Sequence, residues 1–395
     1  NNNDNGIQHS HFPPELLSEI AAKLTDYSDY VNARCVCKPW KAAIPKRPNE
    51  LVRNLPLLFI PHHRAIFNLL TEKSHLLNLP EATETHCCGS SNGWLIMTHE
   101  SPKLFLLNPS NQRRIDLPAI ATLPSFPFQL IYQNSMSLCH SFISRLKLHL
   151  RDTFVVKAIL SEDPSASDGV FAAVIYGNDR NIAFCGLRDR VWTAIEGLSN
   201  CKDLIFHRDK LYAVDDMGKV YCSNYRFSNA ITCMAHAPIS SHVAALYLTN
   251  LDGEFAVVVR FRRVIPGNYC KTERFEVFKL ENGEKWAKME SLGDAALFIG
   301  LSHSHSIKAG DYDGIKGNCV YFTDDYMKID EDFVWEGDDY GVYSFQHGCV
   351  EIFHIPTPLF PAEVQTPLNR NFNDESMHSD TTKSVLPPPV WFWIS

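Results

Sequence analysis

The sequence predicts a mainly β protein: a small N-terminal unit of three helices, followed by one large domain built as a six- or seven-bladed β-propeller. Three observations carry this. Apolar residues recur at helical spacing only between residues 12 and 44. From about residue 55 the pattern becomes short runs of β-formers separated by turn residues, with no long amphipathic helices alternating between them, which argues against a parallel α/β sheet. A weak internal repeat then appears at twice the length of a propeller blade.

The helical stretch opens with Pro13 and Pro14, which suit a first helical turn. Leu16, Leu17, Ile20 and Leu24 follow at helical spacing. Asp26 to Asp29 offer N-caps for a second helix carrying Tyr30, Val31 and Val36. Pro39 opens a third with Trp40 and Ile44, and Pro45 and Pro48 stop it. Three helices in about 33 residues enclose little core, so the unit is expected to need a partner or a larger neighbour.

Strand candidates come next at Leu95–Thr98, Leu104–Leu107, Phe154–Leu160, Val170–Tyr176, Ile182–Cys185, Asp203–Phe206, Lys210–Val214 and Val220–Cys222. Further on lie Ala244–Leu248, Glu254–Phe261, Phe275–Leu280, Cys319–Thr323 and Tyr340–Phe345. Turn dipeptides such as Asn108-Pro109, Asp252-Gly253 and Asn282-Gly283 separate many of them. The repeat matches Trp192-Thr-Ala-Ile195-Glu196-Gly-Leu198 with Trp286-Ala-Lys-Met289-Glu290-Ser-Leu292. It predicts that the two Trp occupy equivalent places two blades apart. Residues 361–384 are polar and read as a long loop, and Val385–Trp393 as a final strand that docks back on the domain. The resulting division is a flexible N-terminus at 1–10, the helical unit at 11–50 and the propeller at 51–395.

Of 395 residues, 45% are hydrophobic and 11% aromatic, which favours packed sheet over disorder. The net charge is −8. Residues 1–60 hold 7 Lys and Arg against 6 Asp and Glu, leaving 30 against 39 for the remainder. An acidic main domain argues against a nucleic-acid partner, which needs a basic face. No apolar run reaches the roughly 18–20 residues of a membrane span, so no membrane partner is expected. The polar start, Asn1 to Asn5, is not that of a signal peptide, and without an initiator Met the chain is read as trimmed or a fragment. The 12 Cys form no regular framework, and Asn108-Pro109-Ser110 is a sequon disabled by proline. A reducing compartment, nucleus and/or cytoplasm, is the expectation.

Several motifs invite chemistry and are read as structure. Gly89-Ser90-Ser91-Asn92-Gly93 has the form of a nucleophile elbow, but Trp94-Leu95-Ile96-Met97 after it reads as strand where a helix is required. His303 and His305, and His62 and His63, lack ligand partners at zinc spacing. Asp311-x-Asp313-Gly314 lacks the later ligands of a calcium loop. Neither a Walker loop nor a dinucleotide fingerprint is present. No catalytic residue, metal or cofactor is therefore expected; the runner-up to a non-catalytic protein is a propeller hydrolase working from the central channel. Asp324, Asp325, Asp330, Glu331 and Asp332 form an acidic cluster, and Asp324, Asp325, Glu331 and Asp332 are expected to dock a basic target segment. Long connections, at Ser161–Asp168, Arg262–Thr272, Ser302–Gly317 and Asp324–Asp339, are expected to carry target specificity.

Phe12-Pro-Pro-Glu-Leu-Leu-Ser-Glu-Ile-Ala-Ala-Lys-Leu24, followed by Val36-Cys37-Lys38-Pro39-Trp40-Lys41, resembles the F-box motif over about 33 residues, with Phe12 standing where Leu is usual. Gly89-Ser-Ser-Asn-Gly-Trp-Leu95, Leu104-Phe-Leu-Leu-Asn-Pro109, Arg114-Ile-Asp-Leu-Pro118, Gly317-Asn-Cys-Val-Tyr-Phe-Thr-Asp-Asp325 and Pro387-Pro-Pro-Val-Trp391 resemble plant F-box proteins with a KIB-type β-propeller, formerly domain-of-unknown-function family 295. The resemblance implies a non-catalytic substrate-receptor subunit of an SCF-type ubiquitin ligase. Its partners would be the SCF linker subunit, through it a cullin, and a target protein. The residues implied to meet the linker are Phe12, Pro13, Leu16, Leu17, Ile20, Leu24, Val31, Val36 and Trp40, by insertion of apolar anchors into a groove. An F-box scaffold acting outside a ligase is the remaining alternative.

Overall fold

The computed structural model describes residues 12–24, 27–45, 57–61, 64–77, 85–126, 140–226, 228–239, 245–265, 269–281, 285–325, 339–353 and 389–393. The chain divides into two compact units: Asn1–Leu55 with Trp393–Ser395, and Pro56–Phe392.

The first unit contains α1 (Pro14–Lys23), α2 (Tyr27–Cys35) and α3 (Lys38–Ala43). Prolines do open two of them: Pro14 lies in the first turn of α1, and Pro39 in the first turn of α3, where a missing N–H costs nothing. The Ile44 N–H closes α3 on the Trp40 carbonyl at 2.9 Å, and Pro45 follows.

The second unit is a six-bladed β-propeller. Blade 1 contains β1 (Leu57–Ile60), β2 (Ala65–Asn68) and β3 (Lys73–Leu76). Blade 2 contains β4 (Thr85–Ser91), β5 (Trp94–His99), β6 (Leu104–Leu107) and β7 (Arg114–Asp116). Blade 3 runs β8 (Val155–Leu160), β9 (Phe171–Tyr176), β10 (Asn181–Gly186) and β11 (Thr193–Ile195). Blade 4 runs β12 (Cys201–His207), β13 (Lys210–Asp215), β14 (Lys219–Ser223) and β15 (Thr232–His236). Blade 5 is β16 (Ala245–Leu251), β17 (Glu254–Ile265), β18 (Tyr269–Glu281) and β19 (Lys285–Met289). Blade 6 is β20 (Ala295–Ile299), β21 (His305–Lys308), β22 (Cys319–Phe322), β23 (Gly341–Ser344) and β24 (Cys349–Glu351). The last strand, β25 (Val390–Phe392), pairs antiparallel with β1 and completes blade 1. The docking-back strand expected near the C-terminus is thus present, and it leaves no open sheet edge at the seam.

Specific bonds carry the ring from blade to blade. Ser90 Oγ of β4 donates to the Trp391 carbonyl of β25. Gly89 has no room for a side chain, because a Cβ there would overlap the Ala158 carbonyl of β8. Lys157 of β8 pairs with Asp203 of β12, and Asp203 accepts from the Leu248 N–H of β16 at 2.7 Å. Trp391 Nε1 closes the circle on the Ile299 carbonyl of β20 at 3.0 Å. Middle strands read as unbroken apolar runs because neighbouring blades cover both their faces. Ala256 to Val259 of β17, for example, are all buried.

Trp192, just before β11, packs into the core shared by blades 2 and 3 and donates to the Pro118 carbonyl at 2.9 Å. Trp286, in the outer strand β19, packs against the core shared by blades 4 and 5. Ile195 faces Ile182 as Met289 faces Val277, so the repeat does mark the outer strands of blades two apart. The Gly89–Gly93 segment is the β4–β5 hairpin, as its residues imply.

Three expectations change. Arg262–Thr272 is not a loop: β17 and β18 stay paired out to Ile265 and Tyr269. Ser302–Gly317 contains β21, which pairs antiparallel with β20 while β20 runs parallel to β22. A helix absent from the sequence reading, α4 (His140–Asp152), precedes β8. It packs through the buried Leu150 and the half-buried Leu146. Its polar composition hid a narrow apolar stripe. Residues 361–384 lie outside the described residues.

Candidate functional site

α1 carries two apolar stripes, one residue out of phase. Leu17 and Ala21 are buried, with Tyr30 of α2 and Ile44 after α3. The Tyr30 hydroxyl donates to the Pro45 carbonyl at 2.8 Å, tying α2 to the chain beyond α3. Phe12, Leu16 and Ile20, spaced by four, are 41%, 41% and 39% exposed, and Val36 is 51% exposed. Phe12 meets the half-buried Trp40 edge-to-face, ring centroids 6.0 Å apart. These side chains together leave one apolar stripe exposed on the unit.

The nine residues expected to meet a partner therefore separate. Phe12, Leu16, Ile20 and Val36 are exposed, Pro13 with them, while Leu24 and Trp40 are half-buried. Leu17 belongs to the interior: it sits one position round the helix, and 100° of rotation turns it inward. Val31 lies in α2, and its side chain is outside the described residues.

In the propeller, the acidic cluster is placed unlike its expectation. Asp324 is buried and Asp325 half-buried, both turned onto two arginines of β17. Arg260, 0% exposed, donates through Nε to Thr272 Oγ1 (2.8 Å). Its Nη1 reaches Tyr247 Oη (3.0 Å), the Thr323 carbonyl (2.9 Å) and Asp325 (3.2 Å), and its Nη2 reaches Asp339 (3.0 Å). Arg262 pairs with Asp325, with Asp339 at 3.3 Å and with Asp324 at 3.7 Å. Burial raises a carboxyl's pKa and a guanidinium lowers it. For Asp325, Arg262 and Arg260 outweigh burial and hold it at about 2. For Asp324 burial prevails over the same arginines and pushes it to about 6. The sequence signal for this network was available in Arg260 and Arg262, two residues apart on one strand face. A charged pair inside an apolar strand needs counter-charges. Glu331 and Asp332 lie outside the described residues.

Burial holds His303 at about 3 and His305 at about 4, so both are neutral. His62 and His63 lie outside the described residues. Among the described residues no group of three or more His, Cys, Asp or Glu is placed to hold a metal ion, and no helix is long and apolar enough to cross a membrane.

Comparison with known proteins agrees with both units. The F-box domain family matches residues 9–51 and the KIB1-4 beta-propeller family matches residues 66–344. F-box protein At2g26160 of Arabidopsis thaliana is 25% identical over 340 residues, covering 81% of this chain and 96% of the relative. Putative F-box protein At3g25750 is 23% identical over 88% of this chain and 97% of its own length. F-box protein SKIP23, from the same plant, is 25% identical over 88% of this chain and 91% of its own length.

Proposed function

Because the chain belongs to the KIB1-4 β-propeller family and carries an F-box domain, we propose that it is the substrate receptor of an SCF-type ubiquitin ligase, its helical unit seated on the linker subunit and its propeller holding a target protein. The observation that carries this is the exposed stripe of Phe12, Leu16, Ile20 and Val36. From these exposures, roughly 300 Å² of apolar surface is available, and covering it would yield about 7 kcal/mol before association costs. Association costs are of similar size, so in this reading the stripe anchors the contact and the groups around it add the rest of the affinity.

In this reading the chain performs no chemistry. It brings the target within reach of a ubiquitin-conjugating enzyme recruited through the cullin, and target choice resides in the irregular connections of the propeller, Ser161–Asp168 among them. The test is reconstitution of the full chain with purified linker subunit and cullin, followed by size-exclusion chromatography. Co-elution of all three supports the assignment. A chain that elutes alone at micromolar concentration, with its helical unit folded, removes it in favour of a scaffold acting outside a ligase.

A further inference from the structure

Strands β17 and β18, of 12 and 13 residues, run on past the other strands of blade 5. β16 accompanies β17 only as far as Arg260, and β19 accompanies β18 only from Val277 onward. Among the described residues no third strand pairs with 261–265 or with 269–274, so these form a two-stranded ribbon. From residue 262 to 265 it extends about 10 Å at the rise of a strand. A two-stranded ribbon is marginally stable by itself. This one is fastened at its base, where Arg260, Arg262 and Thr272 hold Asp325 and Asp339, which flank the β22–β23 connection of blade 6.

The pleat sorts the charges of the ribbon onto two faces. Arg262 and Thr272 lie directly opposite each other, and both turn onto Asp339. The next pair outward, Arg263 and Lys271, therefore points to the other face. Arg263 is exposed and Lys271 half-buried. Two cations directly opposite across a ladder repel each other and weaken it. The carboxylates nearby are engaged elsewhere. Asp324, Asp325 and Asp339 face Arg260 and Arg262, Glu273 lies 3.4 Å from Arg274, and Glu276 lies 3.1 Å from Lys288. Among the described residues none forms an ion pair with Arg263.

We infer that the outer face of this ribbon, centred on Arg263 and Lys271, docks an acidic segment of a partner protein. A carboxylate seated between the two cations replaces their repulsion by attraction to both, so the pair that costs stability in the free chain contributes affinity in the complex. The acidic balance of the surrounding domain repels such a segment elsewhere and leaves the ribbon as the place it is drawn to. The buried network fixes the ribbon's base, so little ordering cost falls on docking. The inference rests on the receptor reading in one respect: the acidic segment is taken to belong to the target.

The experiment is fluorescence anisotropy of the full chain with a labelled twelve-residue oligoglutamate as the probe. The probe should bind at about 20 mM NaCl and weaken at about 150 mM, as exposed charge pairs are screened. Carbodiimide coupling of the bound probe, mapped by mass spectrometry, should join it to Lys271 in preference to the exposed Lys73, Lys219 and Lys285. Arg263→Gln should weaken the probe about three-fold and cut coupling at Lys271, while Lys219→Gln changes neither. The melting temperature of Arg263→Gln should hold or rise, because the change relieves a like-charge pair. No binding at about 1 mM probe, coupling spread over the other lysines, or undiminished binding by Arg263→Gln would overturn the docking face. Tighter Arg263-dependent binding of a DNA duplex or of phosphatidylserine vesicles would overturn it in favour of those surfaces. Linker co-elution is read separately, so loss of the linker with the probe still held at Lys271 removes the receptor reading and leaves the ribbon.

Discussion

Replacing Leu16 and Ile20 together by aspartate separates the two stripes of α1. Each side chain leaves about two-fifths of its surface open, roughly 70 Å² apiece, so a groove that covers both gains about 3.5 kcal/mol from them. Aspartate forfeits that gain and adds the desolvation of two carboxylates, several kcal/mol more. The linker affinity should fall by at least about 10⁴-fold, a change of roughly 6 kcal/mol. Neither residue is part of the unit's interior, so amide exchange across Pro14–Lys23 should be unchanged. Leu17→Ala is the contrasting variant: Leu17 is buried, and its truncation should cost about 2–5 kcal/mol of stability and speed exchange throughout α1. Co-purification with the linker and exchange mass spectrometry, on the same samples, read both effects. Undiminished linker binding by Leu16→Asp, Ile20→Asp would refute the docking surface. Binding lost together with α1 protection would show that these two residues hold the unit together instead.

Further outcomes follow from the propeller. Gly89→Ala forces a Cβ into the Ala158 carbonyl, and since both partners are backbone of inner strands, the variant should melt well below the parent, by a margin read in a thermal scan; an unchanged Tm would mean β4 and β8 are farther apart than described. Asp325→Ala leaves Arg260 and Arg262 short of a counter-charge in a buried network and should cost about 3–5 kcal/mol by denaturant titration; a cost below ~1 kcal/mol would return this carboxylate to the surface role first expected of it. Stability should also fall on acidification. Burial lowers His86 to about 4, His303 to about 3 and His305 to about 4 from 6.5. Folded values below unfolded ones mean a contribution that is full above pH 6.5 and lost as pH falls through 4 and 3. Asp324, raised to about 6, works oppositely: its contribution is full below pH 3.8 and lost as pH rises through 6. At about 1.4 kcal/mol per pKa unit the three histidines outweigh it, so Tm should drop between pH 7 and 4.5, and His86→Gln should flatten the slope. A Tm that rises over that interval would contradict the burial of these imidazoles.

The local rules were legible in the sequence where a residue's effect ends within a few neighbours. Proline at the start of α1 and α3, the tight Gly93 hairpin and the matched Trp192, just before β11, and Trp286, in β19, all follow from backbone geometry or a short period. The F-box stretch was legible too, since its apolar spacing fits a helix and little else. Which of its leucines faces outward was not, because Leu16 and Leu17 differ by 100° about the axis, and only the packing of α1 with α2 and α3 decides which is buried. The same holds for Asp324 and Asp325. Their charge suggested solvent, and only the arrival of Arg260 and Arg262 from a strand some 60 positions earlier makes burial tolerable. Blade number, the parallel β20–β22 pair and the bond from the His303 N–H to the Ser90 carbonyl of β4 are likewise tertiary outcomes. Each depends on contacts between segments far apart in the chain, whose free energy no local pattern records.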